Sequence, residues 1–152
     1  MFQRLLSGLL APGAPPQGPG APVALAALLV RLARADGHYS PDESARIDAV
    51  LTAHYGLSPF EAVALRQEAE AIERSAPDTV RFTRALKEAA PHDGRLSVLE
   101  ALWSVALSDG SRDADEDATI RLVAGLLGIS DRESALARQR VTAKGERGRG
   151  AP

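Results

Sequence analysis

Two aspartates, Asp36 and Asp109, each sit where an amphipathic helix is ending, and each is followed directly by glycine. The C-terminal end of a helix carries partial negative charge, so a carboxylate there costs about 0.3 to 1 kcal/mol unless a positive group answers it. Seven residues beyond each aspartate stands a glutamate, Glu43 and Glu116, with Asp42, Asp113 and Asp115 close by. Brought together, these carboxylates would form an acidic pocket needing a counter-charge. A hard divalent cation such as Ca2+ or Mg2+ would supply it through oxygen ligands. The side chains of Arg34, Arg46 or Arg112 would supply it without a metal.

Local chemistry offers a competing account. Gly37 and Gly110 are suited to left-handed helix C-caps, and the aspartates to bonding loop N–H groups. Glu43 and Glu116 are placed to close capping boxes at the following helix starts. The loops are not EF-hands, because that motif alternates its ligands and places glycine at its sixth position, whereas here glycine follows the first aspartate.

Other chemistries find little support. The chain has no cysteine, which excludes disulfides, thiolate zinc sites and cysteine nucleophiles and fits a reducing, cytoplasmic setting. His38, His54 and His92 form no HxxxH or HExxH pair, so they read as surface or core residues. No nucleophile elbow, Walker loop or dinucleotide fingerprint is present, and the expected protein is not an enzyme. A metal-dependent hydrolase using the carboxylates is the weakest alternative. Formal net charge is −2, which gives no electrostatic reason to expect nucleic acid.

The elements that must position the carboxylates are helices. Leu25, Leu28, Leu29 and Leu32 recur at i, i+3, i+4 and i+7, the pattern of a helix burying one face. Ser40-Pro41-Asp42-Glu43 restarts a helix with serine at the N-cap, proline at N1 and glutamate at N3, and Gly56 stops it. Ser58-Pro59-Phe60-Glu61 opens a third helix running toward Arg74. A fourth extends from about Asp78 to Ala90 and ends before Pro91. Tyr55, Phe60, Phe82 and Trp103 lie on or beside apolar stripes and are expected in the core.

Advancing the first segment by 73 positions places Leu25, Leu28, Leu29 and Leu32 on Val98, Ala101, Leu102 and Val105. The same shift carries Asp36, Gly37 and Glu43 onto Asp109, Gly110 and Glu116. One deletion later, Gly56-Leu57-Ser58 and Glu61 fall on Gly128-Ile129-Ser130 and Glu133. Repeated helix pairs usually pack against one another to bury what neither buries alone. The expected fold is all-α, a compact bundle of about seven helices made of two pseudo-symmetric helix-loop-helix repeats.

Outside the repeats, Phe2 to Leu10 has apolar residues at helical spacing, and Ala11 to Pro22 is a Pro/Gly-rich linker. The arm suits docking on its own domain, on a partner or on a membrane surface, and it lacks the features of a secretion signal. Residues 1–22 therefore read as arm and linker, 23–143 as the helical domain and 144–152 as a disordered tail. The apolar run Ala21 to Leu32 is interrupted by Arg31 and is too short to span a bilayer.

The segments R-A-D-G-H-Y-S-P-D-E, Arg34 to Glu43, and L-S-D-G-S-R-D-A-D-E, Leu107 to Glu116, are followed by Tyr55-Gly56-Leu57 and Leu127-Gly128-Ile129. With these loops in tandem, the chain from roughly Val23 to Arg138 resembles the tellurite-resistance TerB family, whose domain also occurs at the N-terminus of DjlA-type co-chaperones. The resemblance implies an all-helical fold and an acidic centre for metal, carried here by Asp36, Glu43, Asp109 and Glu116. It further implies a non-enzymatic bacterial stress-response module with protein partners, including membrane-associated TerC-type proteins. The chain lacks the His-Pro-Asp triplet of a J-domain and a transmembrane segment, so a co-chaperone role would be indirect. A purely structural adaptor, with its acidic residues serving only as helix caps, is the alternative.

Overall fold

The computed structural model describes residues 20–35, 37–75, 79–108 and 114–150, with Ala114 and the last five described by backbone alone. Seven helices follow in order: α1 Ala21–Arg34, α2 Pro41–Tyr55, α3 Pro59–Ser75, α4 Thr79–Ala89, α5 His92–Ala106, α6 Ala114–Leu126 and α7 Asp131–Gly150. No strand occurs among the described residues. The all-α bundle expected from the sequence is what forms.

α1 is the central element. From Ala24 to Ala33 every residue except Arg31 is buried, so the helix is apolar nearly all round. A helix of that composition is stable in water only when surrounded. It packs on α3 and α4, and also meets α2, α5 and α6. α5 is the second buried helix, contributing Val98, Leu99, Leu102, Trp103 and Val105 to the same core as Leu28, Ile47, Leu65, Phe82 and Ile120. The first helix of each sequence repeat packs on the second and third of its own copy: α1 on α2 and α3, α5 on α6 and α7. α4 lies between the copies in sequence and touches α1 and α6.

Gly56 and Gly128 end α2 and α6 in the left-handed region, at φ +64° and +74°. The next residues fold back, Leu57 N–H to the Thr52 carbonyl at 3.2 Å and Ile129 N–H to the Ala124 carbonyl at 2.8 Å. These are the 6→1 bonds of Schellman caps, which glycine permits because it has no Cβ to clash at positive φ. Each corner leads at once into a capping box. Glu61 N–H donates to Ser58 Oγ and Ser58 N–H to Glu61 Oε1, at 3.1 and 2.9 Å. Ser130 and Glu133 repeat the arrangement, with both bonds at 3.1 Å.

Three sequence expectations meet different outcomes. Phe82 and Trp103 are in the core, and Trp103 Nε1 donates to Ser134 Oγ at 3.3 Å. Phe60, expected to be buried, is 85% exposed. It occupies the first turn of α3, while Ala62, Leu65 and Ala69 form the face that packs inward. α7 continues to Gly150, beyond Ala143 where the polar, Gly-rich composition suggests an end. Once a helix is nucleated on a packed segment, each added residue gains a hydrogen bond without a new nucleus. The expected arm, and the linker as far as residue 19, lie outside the described residues.

Candidate functional site

The first acidic loop leaves α1 through a tight exit. Ala35 N–H donates to the Leu32 carbonyl at 3.2 Å and Gly37 N–H to the Arg34 carbonyl at 2.9 Å, with Gly37 at φ +84°. The positive φ expected at Gly37 is thus present. Ser40 then caps α2: Glu43 N–H donates to Ser40 Oγ and Ser40 N–H to Glu43 Oε1, both at 3.1 Å. The capping role expected of Glu43 is therefore real, and it commits one carboxylate oxygen. Asp42, in the first turn of α2, is exposed, and Glu43 is half-buried.

The second loop is described only at its edges. Asp36, Asp109 and Asp113 lie outside the described residues, as do Gly110 and Arg112. α5 ends at Ala106, and Ser108 Oγ donates to the Val105 carbonyl at 2.8 Å. α6 begins at Ala114 with Asp115 and Glu116 in its first turn, where carboxylates suit the positive end of the helix dipole. Among the described residues no group of three His, Asp or Glu side chains is arranged to hold a metal ion.

The structure does bring the borders of the two loops together. Ser40, Asp42, Glu43 and Arg46 at the start of α2 line one open pocket with Ser108, the residue before Asp109. The polar groups in its lining are the carboxylates of Asp42 and Glu43 and the hydroxyls of Ser40 and Ser108, with Ser40 Oγ and one Glu43 oxygen already engaged in the capping box. Arg46 shares the wall, so a guanidinium stands beside these carboxylates.

Arg34, the other described candidate for a counter-charge, is engaged elsewhere. Its Nη1 lies 2.7 Å from Glu73 Oε2 on α3, and its guanidinium stacks over the Tyr39 ring at 5.2 Å. Arg31 also reaches Glu73, at 3.4 Å, and donates to Thr79 Oγ1 at 2.8 Å. Tyr39 donates its hydroxyl to Glu70 Oε2 at 2.6 Å. Glu70 in turn pairs with Arg66 at 3.1 Å, and Arg66 with Asp48 of α2 at 2.6 Å. Burial and the Glu70 hydrogen bond push the Tyr39 hydroxyl pKa upward, so it stays protonated. The bond to Asp48 raises the Arg66 pKa further, so its charge is permanent. α3 thus grips the first loop through a chain of polar contacts that no local motif signals.

A larger groove, of about 800 Å3, adjoins the pocket and shares Arg46, Ala49 and Ser108 with it. It lies between α2, α5 and α7. His54 borders it, with Ser97 Oγ 3.4 Å from Nδ1 and the Tyr55 ring edge-on at 4.6 Å. Burial pushes the His54 pKa down, against an opposing effect of Glu100. Glu100 is held by Arg140 at 2.6 Å, and no hydrogen bond joins it to His54 among the described contacts. His92 Nε2 lies 2.6 Å from Glu133 Oε2, an exposed pair joining the starts of α5 and α7. His38 is exposed in the first loop. The histidines are therefore dispersed, as their sequence spacing suggests.

No helix among the described residues is long and apolar enough to cross a membrane. No curated protein matches the chain. A solved structure similar to this one is that of a protein of unknown function from Porphyromonas gingivalis W83. It is 18% identical, with 84% of this chain and 98% of that chain covered and a TM-score of 0.59. At that identity the likeness shows the fold alone. The family model for tellurite resistance protein TerB matches residues 22–139, from the start of α1 well into α7. That span takes in both acidic loops and the helices around them, and the chain belongs to the TerB family.

Proposed function

We propose that the protein is a non-enzymatic, cytoplasmic stress-response module of the TerB type, with a divalent cation held between its two acidic loops and protein partners docked on its outer surface. The observation that carries this reading is the pocket in which Ser108, at the border of the second loop, faces Ser40, Asp42 and Glu43, at the border of the first. The free oxygen of Glu43 would join Asp36, Asp109 and Glu116 in holding Ca2+ or Mg2+, with Asp42, Asp113 and Asp115 as further donors. Bound there, the cation would neutralise the carboxylates and fix the two loops against one another. Family membership supports the module and, by analogy, partners of the membrane-associated TerC type.

The test is a thermal melt of the whole chain with millimolar Ca2+, Mg2+, Mn2+ or Zn2+. A ligand of the native state raises stability by mass action, by about 2.7 kcal/mol at a hundredfold excess over Kd. Ca2+ or Mg2+ should raise Tm, and Asp36→Asn with Asp109→Asn should abolish the rise. Unchanged melting with every ion would exclude the cation.

A purely structural adaptor is the second reading, favoured by one observation. Glu43 makes the same capping box as Glu61 and Glu133, which lie outside the acidic loops. Its position is thereby accounted for without a ligand. On this reading the double aspartate variant keeps its partners and its response to ions equals that of the parent.

A further inference from the structure

The offset of 73 positions that relates the two acidic loops also relates the helices around them, carrying α1 onto α5 and α2 onto α6. α4 rests on α1 and α6. The groove of about 800 Å3 lies on their counterparts, α5 and α2, with α7 as its third wall. Individual residues follow the same correspondence. Arg31 holds α4 by donating to Thr79 Oγ1 at 2.8 Å and by lying over the Phe82 ring at 5.3 Å, and its counterpart, Ser104, lines the groove. Glu73 on α3 answers Arg31, and with the one-residue deletion its counterpart is Gly145 on α7, also in the lining. The groove therefore corresponds to the seat of α4, with serine and glycine where that seat has arginine and glutamate.

The helix in the first seat is amphipathic. Phe82, Thr83 and Leu86 of α4 are buried, while Arg81, Arg84 and Lys87 face solvent. The second seat asks for a different charge. Val50, Leu107 and Val141 give it partly exposed apolar walls, but hydroxyl groups and the His54 ring interrupt them, so apolar contact alone does not select the occupant. Arg46 on α2 and Lys144 on α7 stand in its lining, and Glu100, the acidic residue there, is already held by Arg140 at 2.6 Å. A helix with carboxylates along its flanks answers both cations while its apolar stripe meets the walls.

We propose that this groove docks an acidic amphipathic helix of a partner protein, in the manner in which α4 docks on α1 and α6. The partner's carboxylates face Arg46 and Lys144, and apolar side chains at i, i+3 or i+4, and i+7 enter between Val50, Leu107 and Val141. This rests on the partner-docking part of the reading above, to which it gives a place and a chemistry, and it requires no cation.

A stapled synthetic peptide with the sequence of α4, carrying Arg81→Glu, Arg84→Glu and Lys87→Glu, serves as the probe. The staple removes the nucleation penalty that a helix of 11 residues meets in water. Added to the full-length chain, it should shift the amide signals of Ala53, Ala101, Ser104 and Val141 saturably. Arg46→Glu with Lys144→Glu, both at exposed positions, should weaken binding by about tenfold, as should restoring the three basic residues of the peptide. No saturable shift at millimolar peptide, shifts centred on another face, or equal binding of the acidic and basic peptides overturns the proposal. The cation melt reads out separately. Metal-induced stabilisation without peptide binding removes this docking site and leaves the cation, whereas peptide binding without a response to metal upholds the docking site and removes the cation.

Discussion

The Tyr39 hydroxyl donates a 2.6 Å hydrogen bond to Glu70 Oε2, joining the first acidic loop to the middle of α3. Arg34 stacks on the other part of the same ring while holding Glu73, so the loop is gripped at two points along one helix. The shape of this loop is therefore a tertiary property as much as a local one.

Tyr39→Phe should cost about 1.5 to 3 kcal/mol, the range for a hydrogen bond to a charged group. Denaturation in urea measures the loss. Hydrogen exchange should also accelerate at Gly37 and His38. An unchanged midpoint with unchanged exchange would show that α3 does not restrain the loop.

The same tyrosine gives a pH dependence of defined sign. Its folded pKa is raised above the ordinary value of 10.0, so the unfolded chain releases the proton first as pH rises. The stabilisation is complete below pH 10 and is lost above it. Wild type should weaken more steeply than Tyr39→Phe between pH 10 and 11, and parallel pH profiles would refute this.

Arg66 ties Asp48 of α2 and Glu70 of α3 together, with all three side chains less than a fifth exposed. Arg66→Met leaves the largely buried Asp48 and Glu70 carboxylates without their shared guanidinium, which should cost about 2 to 4 kcal/mol. Adding Asp48→Asn should recover part of that loss, because the remaining repulsion falls. Chemical denaturation of the two variants checks both the size and the coupling.

At the helix corners, Ser58→Ala and Ser130→Ala should each cost about 1 kcal/mol, as N-cap removals do. The partner carboxyls give a second readout. Hydrogen bonds from Ser58 hold the Glu61 pKa below its usual value of 4.5, and His92 followed by Ser130 does so for Glu133. Their contribution is present above pH 4.5 and fades as pH falls through the lowered pKa values. Glu61→Gln and Glu133→Gln should accordingly flatten the acid limb of the stability profile.

Leu102 is fully buried on α5, and Leu122 on α6 is 52% exposed. Leu102→Ala should cost about 2 to 5 kcal/mol through lost burial and a cavity. Leu122→Ala should stay within about 0.5 kcal/mol. Thermal melts separate the two, and comparable losses would mean that α5 is not the interior helix described.

What the sequence determined by itself is local. Ser-x-x-Glu signatures, the glycines at 56 and 128 and the leucine spacing of α1 specify where helices start, stop and turn, because caps and apolar stripes act over one or two turns. The matched loops identified the family for the same reason. What only the tertiary structure decided is which distant residues meet. Arg66, Glu70 and Glu73 follow i, i+4, i+7 spacing and look in sequence like a solvated face, yet they answer Asp48, Tyr39, Arg31 and Arg34 across the bundle. Phe60 looks like a core aromatic and is exposed, because the packed face of α3 points elsewhere. Ser108 and Glu43 share a pocket only because α2 packs on α5. Charge and apolarity are properties of a residue, but partnership depends on how whole helices pack.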